Sequence, residues 1–532
     1  MTQAPALHPD RPAATVIGAG IGGLATALRL THAGMRVTVL ERHAHVGGKM
    51  RTLPSPAGPV DAGPTVLTMR DVFDRLCSDI GTRLEDHVTL IRQDILARHF
   101  WPDGGGLDLH ADHDASAAAI DAFAGPRAAD EFRRFCADTR ALFQAFDAPM
   151  MQAAEPSLPR LVATVLRRPA LIAKMAPLSS LRSDLRRRFS DPRLAQLFAR
   201  YATYVGGMPQ KSPALLSLIW QAEAGGVWCV QGGMHRLALA LARLAEDRGV
   251  EMRTNCHVER IELRDGRVAA TVETDGRRLP ADVIVFNGDP RALASGALGA
   301  GVTGVAPQTL RQPRSLSARV WSFAAAATGP DLAHHNVFFA ADPDEEFATL
   351  ADGGMPRDPT LYLCAEDRGG ADAPPGIERF EIILNAAPLT DATRPEKEAQ
   401  RCHQLTFPTL ARFGLRFSPE PEPLPAHLTT PSQFSSLFPG SAGALYGQSP
   451  HGLTAALGRP RARTKVPGLY LAGGGAHPGA GVPMAALSGQ HAAAMILRDR
   501  TSTSLSRPMA TPGGMSTPSA TAAGGRFRSS DS

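Results

Sequence analysis

Ala14-Thr-Val-Ile-Gly18-Ala-Gly20-Ile-Gly22-Gly23 is the stretch of sequence that decides the fold. Its first four residues are typical of a buried strand, and residues 21–32 carry apolar side chains at helical spacing. Arg36-Val-Thr-Val-Leu40 reads as a second strand. Residues 14–40 therefore predict a βαβ unit with a glycine-rich turn between the first strand and the helix.

The glycines of this turn have the spacing of a dinucleotide-binding fingerprint. Gly18 allows a tight turn, Gly20 lets the backbone approach a pyrophosphate, and Gly23 lets the helix pack closely on the strand. Glu41 ends the second strand, where its carboxylate can accept hydrogen bonds from both ribose hydroxyls. A turn-building role for the glycines alone leaves the position of Glu41 unexplained. We expect the following loop residues to contact an adenine dinucleotide: Gly18, Ala19, Gly20, Gly22 and Gly23.

Two further glycine-rich stretches bear on the choice of cofactor. Glu41-Arg42-His-Ala-His-Val-Gly47-Gly48-Lys49 resembles the extension that flavoproteins of the amine-oxidase and phytoene-desaturase superfamily carry after the acidic strand end. Residues 468–483 predict a strand, a glycine loop and a helix start, which in that superfamily closes over the flavin. Lys49 or Arg51 can neutralise phosphate charge, or can be a solvated surface residue. The resemblance implies FAD, with contacts from Arg42, Gly47, Gly48, Lys49, Gly474, Gly475, Gly481 and Val482.

Other motifs narrow the resemblance. Asp61-Ala-Gly63-Pro64-Thr65 looks like a segment of bacterial-type phytoene desaturases, which adds Gly63, Pro64 and Thr65 to the expected FAD contacts. Residues 100–104, 201–207 and 286–290 resemble the branch that acts on 1-hydroxycarotenoids as 3,4-desaturases. The resemblance covers roughly residues 13–498. Gly474-Gly475-Ala476 and Met484-Ala485 depart from the usual phytoene-desaturase pattern, which weakens the transfer of phytoene as substrate.

The resemblance and the pattern of elements imply an α/β fold. We expect a Rossmann-like FAD-binding domain, an interleaved and largely helical lobe for substrate and membrane, and a mixed-sheet substrate domain. The expected division is a leader at 1–12, FAD-binding segments at 13–110, 229–300 and 465–499, a helical lobe at 111–228, a substrate domain at 301–464, and a disordered tail at 500–532.

Composition excludes several classes. The 532 residues, with 43% hydrophobic and 20% charged side chains, are typical of a large globular enzyme. The six cysteines are far apart and the His334-His335 pair lacks helical metal-ligand spacing, so we expect reduced thiols and no metal site. We expect no nucleic-acid partner, since no recognition motif occurs.

A strongly basic segment lies between Ser157 and Arg200, with ten basic and two acidic residues. Its apolar residues recur at helical spacing in three runs that Pro169 and Pro177 divide, which predicts short amphipathic helices. These helices fit either an anionic membrane surface or a helical subdomain with solvated arginines. Without a signal peptide or a spanning segment, the chain is expected at the cytoplasmic side of the inner membrane, as a peripheral protein.

The expected reaction is desaturation of a lipophilic carotenoid, as the resemblance implies. The polyene would lie in an apolar tunnel whose walls include residues 215–220, with Tyr201, Tyr204 and Trp220 either along the polyene or in the core. No catalytic base is identifiable; Asp61 and Asp289 are weak candidates, and Asp61 is expected to cap the turn before Gly63. The electron acceptor, oxygen or a quinone, stays open. Alternatives are phytoene or neurosporene as the substrate, an amine or porphyrinogen oxidase, and a flavin-dependent carotenoid isomerase or carrier.

Overall fold

A computed structural model describes residues 11–390, 398–452 and 454–505. The strands within these ranges are, in chain order, β1 (Ala13–Ile17), β2 (Arg36–Leu40), β3 (Thr52–Leu53), β4 (Val60–Asp61), β5 (Leu90–Arg92), β6 (Ile95–Phe100), β7 (Gly106–His110), β8 (Trp228–Val230), β9 (Glu251–Arg253), β10 (Val258–Arg264), β11 (Arg267–Glu273), β12 (Arg278–Pro280), β13 (Val283–Phe286), β14 (Ser317–Thr328), β15 (His335–Phe338), β16 (Leu361–Ala365), β17 (Glu378–Ala386), β18 (Arg416–Ser418), β19 (Leu428–Thr429) and β20 (Leu469–Leu471).

The α-helices of the same ranges are α1 (Ile21–His32), α2 (Asp71–Asp79), α3 (His113–Ala124), α4 (Pro126–Phe146), α5 (Leu158–Arg167), α6 (Ala170–Met175), α7 (Leu181–Arg188), α8 (Pro192–Ala199), α9 (Trp220–Ala224), α10 (His235–Asp247), α11 (Pro290–Ala294), α12 (Pro343–Ala351), α13 (Glu398–Arg412), α14 (Pro431–Leu437) and α15 (Val482–Leu505). Short 3-10 helices cover Leu84–Asp86, Arg200–Val205, Ala214–Ile219, Ala300–Val302, Pro307–Leu310 and Ala455–Gly458, and a π-helical turn covers Asp147–Met151.

A five-stranded parallel sheet contains the N-terminal βαβ unit. Its strand order is β20-β13-β1-β2-β9, so the C-terminal strand β20 reaches the N-terminal βαβ unit through β13. The predicted βαβ unit is confirmed. Helices α1, α10 and α15 cover the sheet and share one buried core with it, as expected where both faces of a parallel sheet are apolar.

A second sheet has the strand order β18-β14-β17-β16-β15-β6-β7, with β19 paired to β14. The hairpin β6–β7 was predicted correctly, but the sequence assigned it to the FAD-binding segment 13–110. In the structure β6 pairs in parallel with β15, which places this hairpin in the sheet of the substrate domain. The assignment is wrong because strand pairing over more than 200 residues leaves no local pattern in the sequence.

Helices α3 to α9 form the expected helical lobe above the second sheet. Phe132, Phe135 and Phe198 are fully buried at its centre, next to Trp220 and Tyr201. Its long helix α4 begins with Pro126 at the first turn, where the missing N–H costs no hydrogen bond. The lobe therefore has its own aromatic core.

The chain ends differently from the sequence-based division. Helix α15 continues to Leu505, so the predicted boundary of the disordered tail at residue 500 is too early. The rest of that tail, and the first ten residues of the leader, lie outside the described residues. Throughout the described chain, every helix is too short or too polar to cross a lipid bilayer.

Candidate active site and cofactor cavity

Two glycine loops from opposite ends of the chain meet at the carboxyl edge of the parallel sheet. A Cβ atom on Gly22 would lie 2.7 Å from the backbone nitrogen of Gly473, so only a glycine fits there. The side chain of Asn287 follows β13 and joins the loops, because its Nδ2 donates to the carbonyl oxygens of Gly18 (3.0 Å) and Gly20 (3.3 Å). The sequence predicted both loops but not the asparagine between them.

The side chain of Glu41 binds backbone N–H groups, one of them in the first glycine loop. Its carboxylate accepts hydrogen bonds from the N–H of Ala19 at 2.7 Å and of His43 at 2.9 Å. The carboxylate is buried, and it lies at the wall of a large cavity. A carboxylate has about four acceptor positions, so two hydroxyl groups of a ligand can still be accommodated.

This cavity, of about 980 Å³, runs past all the glycine-rich stretches. At its edge lies the N-terminus of α1, whose N-cap residue Gly20 supplies no side-chain cap to the first N–H groups, which suits the phosphates of a dinucleotide. The expected FAD-contact residues that line it are Gly18, Gly20, Gly22, Glu41, Arg42, Gly47, Gly48, Lys49, Gly63, Pro64, Thr65, Gly474, Gly475, Gly481 and Val482. Ala19 and Gly23 do not line it: Ala19 bonds Glu41, and Gly23 packs against Gly18 and Val16 below the loop.

Neither of the two predicted cations is a surface residue. Lys49 Nζ donates to the carbonyl oxygen of Leu445 at the cavity wall. Burial lowers the pKa of Lys49 to about 8, with Asp289 opposing that shift. Arg51 is buried outside the cavity lining, where it bonds Thr429 of β19, so a role in neutralising phosphate is wrong for Arg51.

Asp61 does not cap its own turn and does not line the cavity. Its carboxylate accepts the backbone N–H groups of Met234 and His235, which are the first groups of α10. Burial raises the pKa of this carboxyl group. Asp61 therefore joins the Gly63 segment to a distant helix, and its candidacy as a catalytic base is withdrawn.

Asp289 lines the cavity but is already engaged. Its carboxylate caps α11 by accepting the N–H of Arg291 at 3.0 Å, and it forms an ion pair with Arg314. Both oxygens of this carboxylate therefore already have hydrogen-bond partners. Asp289 is a structural anchor beside the glycine loop.

The opposite part of the cavity is an apolar chamber. The large sheet contributes one face, with Val320 and Ile383 towards the cavity and Trp321 and Ile382 in the core behind it. The predicted wall at 215–220 is present through Leu215, Leu216, Leu218 and Ile219. Tyr201 and Trp220 lie instead in the aromatic core of the helical lobe, so the alternative that placed them along the polyene is wrong, and Tyr204 is the member of this trio at the cavity wall.

Polar side chains interrupt this chamber at one place. Glu223 accepts hydrogen bonds from the hydroxyls of Tyr201 and Tyr204, both at 2.9 Å, and Arg200 donates to Tyr204 at 2.9 Å. Arg200, Tyr204 and Glu223 all line the cavity. The sequence singled out 201–207 by resemblance but missed Arg200 and Glu223, which come together only in the folded helical lobe.

The basic segment 157–200 divides into two parts. In α7, Leu181 and Leu185 are buried and the arginines form ion pairs, for example Arg188 with Asp138 and Asp184. In α5, by contrast, Leu158, Val162 and Leu166 form an exposed stripe at spacing of four residues that also lines the cavity. The subdomain interpretation therefore applies to α7, and an exposed apolar edge exists only at α5 and its neighbours.

The structure brings His334, His335 and Cys364 within 4.8 Å of one another, which the sequence did not predict. Both nitrogens of His334 are occupied, by the carbonyl of Arg368 and the thiol of Cys364. His335 Nδ1 is hydrogen-bonded to the hydroxyl of Tyr362 at 2.7 Å. The three side chains therefore belong to a buried hydrogen-bond network that also includes Arg368 and Tyr362.

Comparison with known proteins identifies the class that this cavity belongs to. A model of flavin containing amine oxidoreductases matches residues 21–497. Cyclohexylamine oxidase from Brevibacterium oxydans has the same fold, with a TM-score of 0.55 at 16% identity, covering 93% of this chain and all of that one. The chain belongs to the flavin containing amine oxidoreductase family, and its cofactor is FAD.

Two named relatives place the chain more narrowly within this family. It is 56% identical to the hydroxyneurosporene desaturase of Cereibacter sphaeroides over 493 residues, 93% of this chain and 99% of the relative. It is 53% identical to the hydroxyneurosporene desaturase of Rhodobacter capsulatus over 487 residues, 92% of this chain and 98% of the relative. The resemblance stated from the motifs is thus confirmed.

Proposed function

We propose that this protein is an FAD-dependent desaturase that introduces a C–C double bond into an acyclic, 1-hydroxylated carotenoid during carotenoid biosynthesis. The observation that carries the proposal is the single cavity in which the glycine segments and Glu41 lead directly into an apolar chamber. A polyene offers almost nothing to hydrogen-bond, so its binding depends on apolar contact area. The high identity to two hydroxyneurosporene desaturases supports this substrate class.

We assign the adenosine half of FAD to the βαβ unit. The uncapped N–H groups of α1 bind the pyrophosphate, and Glu41 accepts the ribose hydroxyls. Gly47 and Gly48 let a second backbone segment approach the cofactor, and Gly48 already lies against Gly20. Each of these contacts needs main chain or a short side chain, which explains the density of glycine.

The remaining glycine segments are assigned to the flavin half. Gly474, Gly475 and Gly481 line the cavity next to the N-terminus of α15, whose N–H groups favour negative charge. The segment after β4 lines the same cavity through Gly63, Pro64 and Thr65. Lys49 is at the same wall, where its Nζ donates to the carbonyl oxygen of Leu445 and burial lowers its pKa to about 8.

Desaturation removes two hydrogens from adjacent carbons, one as a hydride and one as a proton. When bound, oxidised FAD would accept the hydride, and its fully reduced form would carry the proton as well, so the cofactor balances both hydrogens. The chain's part is to orient the polyene in the chamber and to exclude water from it. Asp61 is outside the lining and Asp289 is held by Arg314, so neither is proposed as the proton acceptor. The final electron acceptor, oxygen or a quinone, must reach the same cavity.

Rival activities of the same scaffold fit less well. An amine oxidase must admit a cationic or polar amine. The walls of this chamber are mainly aliphatic, and the carboxylate of Glu223 already accepts hydrogen bonds from Tyr201 and Tyr204 beside the buried cation Arg200. A flavin-dependent isomerase would use the same apolar chamber but leave the carotenoid at its original oxidation state. The number of double bonds in the product separates these two activities.

Product analysis is the direct test. The purified FAD-loaded protein is supplied in parallel with a neurosporene-type carotenoid and its 1-hydroxy derivative. We expect a product with one more conjugated double bond, formed faster from the hydroxylated carotenoid. An isomerised product of unchanged mass would contradict desaturation, and turnover of phytoene in preference to both would contradict the substrate class.

We also propose that the α5 edge docks on an anionic membrane surface. Leu158, Val162 and Leu166 are 58%, 47% and 71% exposed, and Ile172 and Leu178 further along the chain are exposed as well. Arg160, Arg167 and Arg168 are on this helix or next to it, and none of them has an ion-pair partner in the described part of the chain. Apolar side chains within the acyl boundary and arginines at the headgroups match an interfacial helix. The cavity reaches the surface along this same stripe, so a lipid-soluble substrate can enter there.

Co-sedimentation with phosphatidylglycerol vesicles tests the docking. Replacing Leu158, Val162 and Leu166 together by serine should lower the bound fraction several-fold. The matched control replaces Leu239, Leu310 and Leu424, which are exposed elsewhere, and should bind as the wild type does. Equal loss in both triple variants would contradict a specific edge at α5.

A further inference from the structure

A buried arginine in the apolar chamber, Arg200, is only partly satisfied by hydrogen bonds. Arg200 is 8% exposed and lines the cavity, and its Nε has no hydrogen-bond partner among the described residues. Its guanidinium carries five N–H donors, of which Nη2 bonds Tyr204. Leaving donors of a buried cation unsatisfied is costly, unless a ligand group satisfies them.

The neighbours of Arg200 complete a set of donors and acceptors. Glu223 accepts one bond on each carboxylate oxygen, from Tyr201 and Tyr204, and each oxygen can accept one more. The ring of Tyr204 lies 5.0 Å from the guanidinium. We call Arg200, Tyr204 and Glu223 the chamber polar cluster; it presents an N–H donor and a carboxylate acceptor within one apolar cavity.

The cluster lies close to the segment assigned to the flavin. Thr65 lines the cavity and is hydrogen-bonded to the hydroxyl of Tyr362 at 2.7 Å. Tyr362 and Tyr204 both line the cavity and pack against the aromatic core of the helical lobe. Tyr362 therefore links Thr65 to the same aromatic core against which Tyr204 of the chamber polar cluster packs.

We propose that the chamber polar cluster binds the terminal hydroxyl group of the carotenoid, with Arg200 donating to the hydroxyl oxygen and Glu223 accepting its hydrogen. This inference rests on the proposed function. A hydroxyl is the smallest group that needs both a donor and an acceptor, and it occurs once at the end of a 1-hydroxylated polyene. The carbon that bears it is two bonds from the C3–C4 bond, so this anchor sets which bond faces the flavin.

Such an anchor explains how an apolar chamber can be specific for a hydroxylated substrate. Apolar walls discriminate poorly between two polyenes that differ by one hydroxyl group, whereas a site with buried polar groups rejects the analogue that leaves them unpaired. The preference of the enzyme for hydroxylated over unhydroxylated carotenoids should therefore depend on three side chains.

The test compares kcat/KM for a 1-hydroxy carotenoid and its unhydroxylated counterpart. In the wild type we expect a preference of about 100-fold or more for the hydroxylated substrate. Arg200→Met should reduce that preference to less than about tenfold, and Glu223→Gln should reduce it by a smaller factor. Arg186→Met is the matched control, since Arg186 is exposed and paired with Asp344 outside this cluster, and its preference should equal that of the wild type.

FAD content and thermal stability are measured for every variant, and Tyr204→Phe supplies a milder change if Arg200→Met does not fold. A purely structural role would lower kcat/KM for both substrates by the same factor, which would overturn the hydroxyl assignment. A wild-type protein that desaturates both substrates with equal kcat/KM would overturn it as well. Failure of the proposed function is a distinct result, since the wild type would then desaturate neither carotenoid.

Discussion

The cofactor end and the substrate end of this cavity are built in opposite ways. At the cofactor end, backbone atoms of glycine loops from residues 18–23 and 473–481 form the walls, and several of these positions have no space for a side chain. At the substrate end, side chains of the helical lobe and the large sheet form the walls. A backbone-lined site restricts residue type position by position, whereas a side-chain-lined chamber needs only apolar volume.

This difference predicts how variants divide. Changes at the glycine loops should remove FAD and with it all activity, whereas changes in the chamber should leave FAD bound and alter turnover. A variant that breaks this division would show that the two ends are not independent.

Gly23→Ala should have the largest effect. A Cβ there would lie 2.1 Å from the carbonyl oxygen of Gly18, so the loop must open and the N-terminus of α1 must shift. We expect less than about a tenth of the wild-type FAD content, read from the flavin absorbance of purified protein. Gly304→Ala is the control, because its Cβ would meet no atom within 4 Å. Full FAD content in Gly23→Ala would contradict the assigned loop.

Glu41→Gln should be the next in size. The amide keeps one acceptor but loses the charge that holds the N–H groups of Ala19 and His43. We expect the Kd for FAD to rise by about 10- to 100-fold, measured by fluorescence quenching during titration of the apoprotein. Glu246→Gln, at an exposed position of α10, should titrate like the wild type. An unchanged Kd in Glu41→Gln would refute the ribose assignment.

Ile219→Trp tests the chamber. Ile219 lines the cavity in the 3-10 helix Ala214–Ile219, and the larger side chain should occupy space that the polyene needs. kcat/KM for the carotenoid should fall at least about tenfold while FAD content stays at the wild-type value. The same change at exposed Leu239 should alter neither quantity. Loss of FAD from Ile219→Trp would break the division between the two ends.

Glu346→Gln should have the smallest effect, and that effect is on thermal stability. Glu346 itself lies outside both ends of the cavity. Burial raises the pKa of Glu346 to about 7, so the folded protein holds its proton more tightly than the unfolded chain does. Its contribution to stability is complete below about pH 4.3 and is lost as the pH rises through about 7. When the pH rises from 5 to 8, the Tm of the variant should therefore fall by about 1–3 °C less than the Tm of the wild type does.

The control for this pH dependence is Glu345→Gln, at an exposed position of the same helix α12. Its Tm should follow the wild-type profile across the same range, measured by scanning calorimetry. A Glu346→Gln profile parallel to that of the wild type would mean that Glu346 is ionised in the folded protein.

The two ends of the cavity also differ in what the sequence could predict. The bounds of α1 and β2 follow from local spacing, and the glycines between Gly18 and Gly23 predict the turn before α1 directly. Asp61 was misjudged because its partners, the N–H groups of α10, are 173 residues away in sequence. The β6–β7 hairpin was misassigned for the same reason, and Arg200 and Glu223 meet through packing that no spacing encodes.

Mixing the FAD-loaded protein with a 1-hydroxy carotenoid in the absence of oxygen tests the central claim most directly. The visible flavin band should bleach in one turnover, and the carotenoid spectrum should shift to longer wavelength in the same proportion as one double bond is added. A flavin band that stays unchanged while the carotenoid is converted, or is left untouched, would contradict a desaturase built on this cavity.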